Sequence, residues 1–357
     1  MKETNASTLV VGGGIIGLTS AFRLAQAGHA VTLFDPDVAR GATWAAAGMV
    51  APSAEIGPGE ERNYQLQKTA VAAWRDLSTD LEQLTGDELV IHQSGTLLVG
   101  WDASDRRLIE QFALVAQRYD APMVRISRTE SSEVFEGLSP RMHVGLVMGD
   151  DAWLDPDQAV ALLRAALAAL NVTVVTEHVV RISHDASGVV AETQHGEFSA
   201  STGILATGWK PLPEGAVRSV EHTIRPVRGV TVRVQGIDRS AQPMVRAFIR
   251  GRAFYMVSRP GGYCVLGATS DERAQPVVEV GELQRLLRDA LDVVPDLETA
   301  TVLETRIGLR PASSNLQPFF ERLETSGWAW SCGHYRHGVT LAPDAAQSAL
   351  NFVQAAQ

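Results

Sequence analysis

Three glycines near the amino terminus have the types and spacing of a phosphate cradle. Gly12-x-Gly14-x-x-Gly17 follows the short, apolar run Ser7–Val11 and precedes a stretch with helical spacing of Ile16, Ala21, Leu24 and Ala25. Between a strand and a helix each glycine has a task. Gly12 permits a tight turn, Gly14 lets backbone approach a pyrophosphate, and Gly17 lets helix and strand pack closely. The first helical N–H groups, at Ile15 and Ile16, and the positive end of the helix dipole would then face the phosphates. Asp35 ends the next apolar run 18 residues past Gly17, near the spacing at which an acid holds ribose hydroxyls. An acid there favours FAD or NAD over NADP. The glycines by themselves do not choose between FAD and NAD.

The elements that must position this cradle are read from periodicity and punctuation. Gly28 stands where a helix C-cap is expected, before a second strand at Ala30–Phe34. Gly and Pro then break a long loop through residue 59, and a helix is expected over 60–84. Strand-like pieces at 89–92 and 96–99 lead to a helix over 105–119. Asp155 is placed to cap a helix opened by Pro156. A strand at 172–176, alternating stretches at 178–183 and 188–192, and a short buried strand at 203–206 come next. Strands with Gly/Pro turns fill 223–267, followed by a helix over 279–291, a strand near 328–331 and a helix over 338–354. The opening βαβ unit and the strands near 205 and 330 read as one nucleotide-binding sheet. The remainder reads as a second, antiparallel domain inserted twice.

Composition narrows the class. At 357 residues the chain has room for about two domains. With 41 acidic against 31 basic residues the net charge is −10, and no Lys/Arg block occurs, so neither nucleic acid nor an anionic membrane is an expected partner. Cys264 and Cys332 have no metal or redox spacing; no metal site is expected, and the cysteine usage fits a reducing, cytoplasmic location. Residues 4–22 are uncharged, but Gly12-Gly13-Gly14 and Gly17 interrupt them, so neither an anchor nor a signal peptide is expected.

Beyond the cradle, Arg40-Gly41-Ala42-Thr43-Trp44-Ala45-Ala46-Ala47-Gly48-Met49 resembles the flavin-contacting loop of the D-amino-acid-oxidase superfamily, and more narrowly of the ThiO-type glycine oxidases. Tyr255-Met256-Val257-Ser258-Arg259 with Gly267-Ala268-Thr269, then Gly308-Leu309-Arg310-Pro311, then the run from Gly333 to Pro343 agree in order and approximate spacing. The resemblance implies an α/β plus α+β fold: a Rossmann-like FAD-binding domain (1–50, 145–210 and 311–357) interleaved with an antiparallel-sheet substrate domain (51–144 and 211–310). The implied reaction is oxidation of glycine, sarcosine or small D-amino acids to an imine, with O2 as the final acceptor and hydrogen peroxide as product. In thiamine biosynthesis the imine from glycine feeds thiazole formation. A homo-oligomer is also implied.

The same resemblance assigns roles. Arg310 matches the guanidinium that holds the substrate carboxylate by two parallel hydrogen bonds. Tyr255 matches the substrate-site tyrosine, Met49 a residue beside flavin and substrate, and Arg336 a positive charge near the flavin or substrate. Expected FAD contacts are Gly12, Gly14, Ile15, Ile16, Gly17 and Asp35; then Thr43, Ala47, Gly48 and Met49; then Val179, Ala206, Thr207 and Gly208. The last group is Gly333, His334, Tyr335, Arg336, His337, Gly338 and Val339, where a helix N-terminus would stabilise negative charge on reduced flavin. Tyr255 has a plainer reading as a strand aromatic, and Met49 as a packing residue.

Departures from the family pattern bear on the substrate. No Cys stands where sarcosine oxidases tether FAD, so non-covalent FAD is expected. Leu316 occupies a position commonly Gly, and its poor tolerance of positive φ predicts a different turn. Trp44 replaces a small polar residue, and Arg306-Ile307 replaces a Trp-containing pair. Met49 and Tyr255 suggest a small pocket, which Ala253 and Ser270 would enlarge. Two other readings stand beside the oxidase: an FAD-dependent D-amino-acid dehydrogenase passing electrons to a quinone or carrier, and a non-catalytic nucleotide-binding module. A mere binder needs none of Tyr255, Arg310 and Arg336.

Overall fold

A computed structural model describes residues 7–356 except 144, 186–187, 218–221, 237 and 325–326. Six strands form one sheet in the order Phe319–Arg322, Trp328–Cys332, Thr202–Leu205, Ser7–Val11, Ala30–Phe34 and Thr173–Val175. All are parallel to their neighbours except the edge strand Phe319–Arg322. Alternation explains the layers on its two faces. Val10, Leu33, Ile204 and Ala329 pack with Leu18, Phe22, Trp74 and Leu163 of the helices. Leu9, Val11, Leu205 and Trp328 pack with Ile182, Val189 and Ala191 of a three-stranded meander. The helices are Ile15–Gln26, Ala70–Thr85, Pro156–Ala169 and Ala342–Ala355. Asp155 caps the third as expected, accepting from Asp157 N at 2.9 Å.

A second sheet has eight strands, ordered Thr301–Ser313, Ile224–Gln235, Tyr263–Gly267, Arg252–Arg259, Met244–Ile249, Thr96–Gly100, Gly145–Met148 and Val124–Ile126. It is antiparallel but for one parallel pair, Met244–Ile249 with Thr96–Gly100. Leu97, Val245, Ala247, Phe254, Met256 and Leu266 turn one face into a core closed by helix Val280–Val293. The alternate residues, among them Leu98, Arg246, Phe248, Ala253 and Tyr255, turn the other face toward a cavity.

Several elements differ from the sequence reading. The helix expected over 60–84 is two, Glu61–Gln67 and Ala70–Thr85, because Thr69 (φ −93°, ψ −1°) begins a new helix as its N-cap residue. Residues 89–92 contribute a single bridge, His92 to Trp153. The helix expected from 338 begins at Ala342, since Pro343 fits the first turn of a helix and would break a longer one. Strand Gly145–Met148 joins the eight-stranded sheet, and helix Ala70–Thr85 packs on the parallel one, so both cross the drawn domain boundaries. Among the described residues no helix is long and apolar enough to cross a membrane.

Candidate active site

The two sheets enclose a cavity of about 920 Å³, near the upper end of ligand-site volumes. One end is made of backbone. Gly12 sits at φ 107°, and a Cβ there would lie 2.4 Å from the Ala206 carbonyl oxygen. A Cβ on Gly17 would lie 1.8 Å from the Gly12 oxygen. Turn, strand and helix are therefore in contact through glycine alone. Gly14 differs: its Cβ would face open space apart from Thr43 Oγ1 at 3.4 Å, the approach that a pyrophosphate needs. Thr43 Oγ1 accepts from Ile15 N at 2.9 Å, which leaves its own hydroxyl hydrogen free for the cavity. Asp35 is held in place by Gly13 N at 2.6 Å and Asp37 N at 2.8 Å.

Whether these residues fit a dinucleotide is tested by an orphaned group. Thr207 Oγ1 is buried and has no partner among the described residues, yet Thr207 lines the cavity. A buried hydroxyl without a partner is costly, and a bound ligand relieves it. The loop after the cradle is fixed from behind by arginines of the eight-stranded sheet. Arg233 donates to the Trp44 and Ala46 carbonyls, Arg259 to Ala47, and Arg306 to Trp44. Arg306 and Arg40 also stack on the Trp44 ring, 5.2 and 5.4 Å from its centroid. The two departures at 44 and 306 are thus one arrangement, an aromatic ring held by two cations.

The other end of the cavity is made of side chains. Arg306, Gly308 and Arg310 share one face of their strand. Arg310 lies against Gly229 so closely that a Cβ on that glycine would meet its Nη2 at 2.2 Å. Its one hydrogen bond among the described residues runs from Nη1 to the Thr269 carbonyl at 3.3 Å, and no carboxylate lies within ion-pair range. Tyr255 leans over Gly267 in the same way, a Cβ there meeting its hydroxyl at 2.3 Å. Burial pushes the Tyr255 hydroxyl pKa up, with the Arg310 charge opposing, so it stays a donor. Met49 stands opposite, in the short strand Met49–Val50 paired with Ala152–Trp153.

Loop 51–57 closes this end. Asp151 accepts from Ser53 N at 3.0 Å and Ala54 N at 3.1 Å, and burial pushes its carboxyl pKa up to about 7. Arg336 donates to the Glu55 carbonyl at 2.8 Å and to Glu60 Oε2 at 2.7 Å. Burial would raise the Glu55 carboxyl, but His337, Arg246 and Arg336 outweigh it and hold its pKa at about 2. His337 Nδ1 is 3.3 Å from Glu55 Oε2, in ion-pair range but without hydrogen-bond alignment. His334 is buried, which together with the His337 charge lowers its pKa to about 4 and keeps it neutral.

Most sequence-assigned residues meet at this cavity. Gly12, Gly14, Ile15, Ile16, Asp35, Thr43, Ala47, Gly48, Met49, Val179, Ala206, Thr207 and Gly208 line it, as do Tyr255, Arg310, His334, Tyr335, Arg336, Gly338 and Val339. Three do not. Gly17 is packed behind the turn, Gly333 (φ 77°) lies close against the Gln317 carbonyl and the Phe319 ring, and His337 is turned toward Glu55. The expected helix N-terminus at 338 is replaced by a 3-10 turn, Tyr335–His337. Leu316 does adopt positive φ, 58°, against expectation. Asn315 Oδ1 accepts from Gln317 N, Leu316 N donates to Ser313, and Asn63 donates to the Leu316 carbonyl; these bonds offset the steric cost. The sequence reading passed over Arg246, Arg233 and loop residues Ala54 and Glu55, and it gave Arg259, though part of a quoted motif, no role. Strand alternation from Tyr255 signals a cavity face, but nothing local marks Arg246 as its neighbour.

A glycine cradle at the carboxyl ends of parallel strands, roofed by a sheet that presents cationic side chains, defines a dinucleotide-dependent enzyme. The chain belongs to the DAO family of FAD dependent oxidoreductases, which it matches over residues 7–349; FAD is its cofactor. It is 28% identical to the glycine oxidase of Geobacillus kaustophilus, over 94% of this chain and 89% of that one. A crystal structure of glycine oxidase from the same organism superposes with a TM-score of 0.88 at 25% identity, covering 98% and 95% of the two chains. The chain is 31% identical to a bifunctional ThiO/ThiG protein of Synechocystis, covering 96% of this chain and 50% of that one.

Proposed function

We propose that this FAD-dependent oxidoreductase oxidises a small amino acid, such as glycine, sarcosine or a D-amino acid, to its imine. Hydrolysis then gives an oxoacid and the amine or ammonia, with hydrogen peroxide as co-product. The observation that carries this reading is the Arg310 guanidinium, laid over Gly229 toward the cavity with no carboxylate partner among the described residues. A planar, unpaired fork suits one carboxylate of a substrate. FAD, when bound, would supply the two-electron acceptor for the hydrogen leaving Cα, with dioxygen as the final oxidant and peroxide as its product.

In this reading Arg310 and Tyr255 hold the substrate carboxylate and so fix the direction of the Cα–H bond. Met49, Ala54 and Ile56 exclude water from the reacting end. His334, neutral and buried, is not asked to take a proton. FAD is held without a covalent bond: Cys332 lines the cavity, but burial pushes its thiol to about 12, and it faces the Gly208 carbonyl. Residues 1–50, 145–210 and 311–357 serve FAD and 51–144 and 211–310 serve substrate, with helix Ala70–Thr85 and strand Gly145–Met148 exchanged between them. Likeness to the ThiO/ThiG relative supports a role for the glycine product in thiamine biosynthesis. The test is the purified chain with glycine, sarcosine and D-alanine in air, with peroxide measured. Amino-acid-dependent dye reduction without peroxide would favour the dehydrogenase instead.

A further inference from the structure

We infer that Arg246 is a second anion-binding side chain in this cavity, and that the substrate carries a second carboxylate beyond the one held by Arg310. The inference rests on the reading above and deepens it to a substrate class: amino acids with an acidic side arm, on carbon or on nitrogen.

Arg246 is placed by strand register. It stands directly opposite Tyr255 and beside Leu98, and directly paired residues share a face. All three line the cavity. Across the sheet the order is Arg246, then the Tyr255 ring over Gly267, then the Arg310 guanidinium over Gly229. Two guanidinium groups therefore flank one phenol. A ligand held by Arg310 at one end reaches Arg246 by passing Tyr255.

The second guanidinium is underused by the protein. Among the described residues Arg246 makes one hydrogen bond, from Nη1 to the Ala54 carbonyl, and has no carboxylate within 4.0 Å. Its remaining N–H groups are not sealed in by protein, as the orphaned Nε of Arg228, Arg233 and Arg336 are. An arginine kept only to pin loop 51–57 would need no open donors. Space beside it is supplied by Ala253, which pairs with Phe248 at the next position along the same face.

Charge balance points the same way. At the end of the cavity near Tyr255 the cations are Arg246, Arg310 and Arg336, and Glu55 and Glu60 are the carboxylates against them, with Asp151 partly protonated near neutral pH. Three cations against two carboxylates and a half-titrated Asp151 leave at most one uncompensated positive charge at this end. A zwitterionic monocarboxylic amino acid does not change that excess. A dicarboxylic amino acid, with net charge −1, cancels it, and buried charge is stable when compensated.

The experiment is equilibrium titration of the FAD-loaded protein with acetate, malonate, succinate and glutarate, followed by the flavin absorption band and tryptophan fluorescence. At least one dicarboxylate is expected to bind about tenfold or more tighter than acetate, as a second charge-assisted pair requires. Arg246→Met should remove that preference, bringing dicarboxylate and acetate affinities together, and Arg246→Lys should restore part of it. Equal affinity for all four acids in the wild type would overturn the inference. So would an Arg246→Met protein that weakens acetate and dicarboxylates alike, the signature of a loop strut. Turnover of D-aspartate, D-glutamate and N-(carboxymethyl)glycine beside glycine and D-alanine then separates the carbon arm from the nitrogen arm. Oxidation of glycine and D-alanine with no dicarboxylate preference leaves the proposed function standing and sinks the inference. An Arg246-dependent dicarboxylate preference with no amino acid oxidised does the reverse.

Discussion

The two ends of the cavity are built from different materials. At the cofactor end the chain uses backbone and glycine: Gly12 and Gly17 sit in contact with the Ala206 and Gly12 carbonyls, and a tolerated side chain there is impossible. At the substrate end it uses long side chains laid across a sheet, with Gly229 and Gly267 as the flat places on which Arg310 and Tyr255 lie. A backbone cradle binds what all dinucleotides share. On the function proposed above, a set of guanidinium groups on neighbouring strands lets the substrate change one residue at a time while the cradle stays fixed. The cost of this division is a charged interior, met by Glu55, Glu60 and Asp151 on or beside the closing loop.

The sharpest break in the comparison is at Gly14. Because its Cβ would meet little but Thr43 Oγ1, Gly14→Val should fold normally and yet purify without flavin, since the side chain fills the pyrophosphate approach. Flavin content and far-UV circular dichroism measured on one preparation decide it, and a yellow, folded variant would refute the cradle assignment. Next comes the carboxylate anchor. Arg310→Ala should keep its flavin and raise KM by about 30-fold to several thousand-fold, the effect of removing one partner from a buried charge pair. Arg310→Lys should recover little. Wild-type kcat/KM in Arg310→Ala would transfer the role to Arg246 or Arg336.

A smaller effect is expected where the sheet itself positions the anchor. Gly229→Ala places a methyl where the Arg310 guanidinium now lies. A displacement of order 1 Å should lower kcat/KM by roughly tenfold to a hundredfold, with flavin binding unchanged. No kinetic change would show that Arg310 does not need its flat bed. The last effect concerns the loop. Asp151 has its carboxyl raised by burial to about 7 from an ordinary 3.8. A raised folded-state pKa contributes stability that is complete below about pH 4 and lost as pH rises through about 7. Urea unfolding between pH 4 and 8 should therefore show a decline that Asp151→Asn lacks, up to about 4 kcal/mol for the full shift. Identical pH slopes in the two proteins would remove Asp151 from the account.

The same division between ends governs what could be read early. Gly12, Gly14 and Gly17 act through local geometry, because a tight turn and a helix start are made by residues adjacent in the chain. The structure has the tight turn and the close packing at Gly17, where a Cβ would lie 1.8 Å from the Gly12 oxygen. The Asp155-Pro156 helix start was legible for the same reason, its capping bond spanning two residues. Leu316 was misread because its positive φ is stabilised partly from outside the turn, by Asn63 some 250 positions away. No local rule reaches that far.

Residue order alone carries the dinucleotide cradle and the alternation of parallel and antiparallel units, and through resemblance it nominates Arg310 and Tyr255 for the reacting end. Tertiary structure alone decided which other charges join them. Arg246 meets Tyr255 because two strands pair in one register, and a shift of a single residue would have turned it into the hydrophobic core instead. Arg233, Arg259 and Arg306 reach the 44–47 loop only because the two sheets face each other across the cavity. Register and sheet packing depend on the summed burial of many apolar side chains along whole strands. A pattern of spacing around any one of these arginines does not contain that sum.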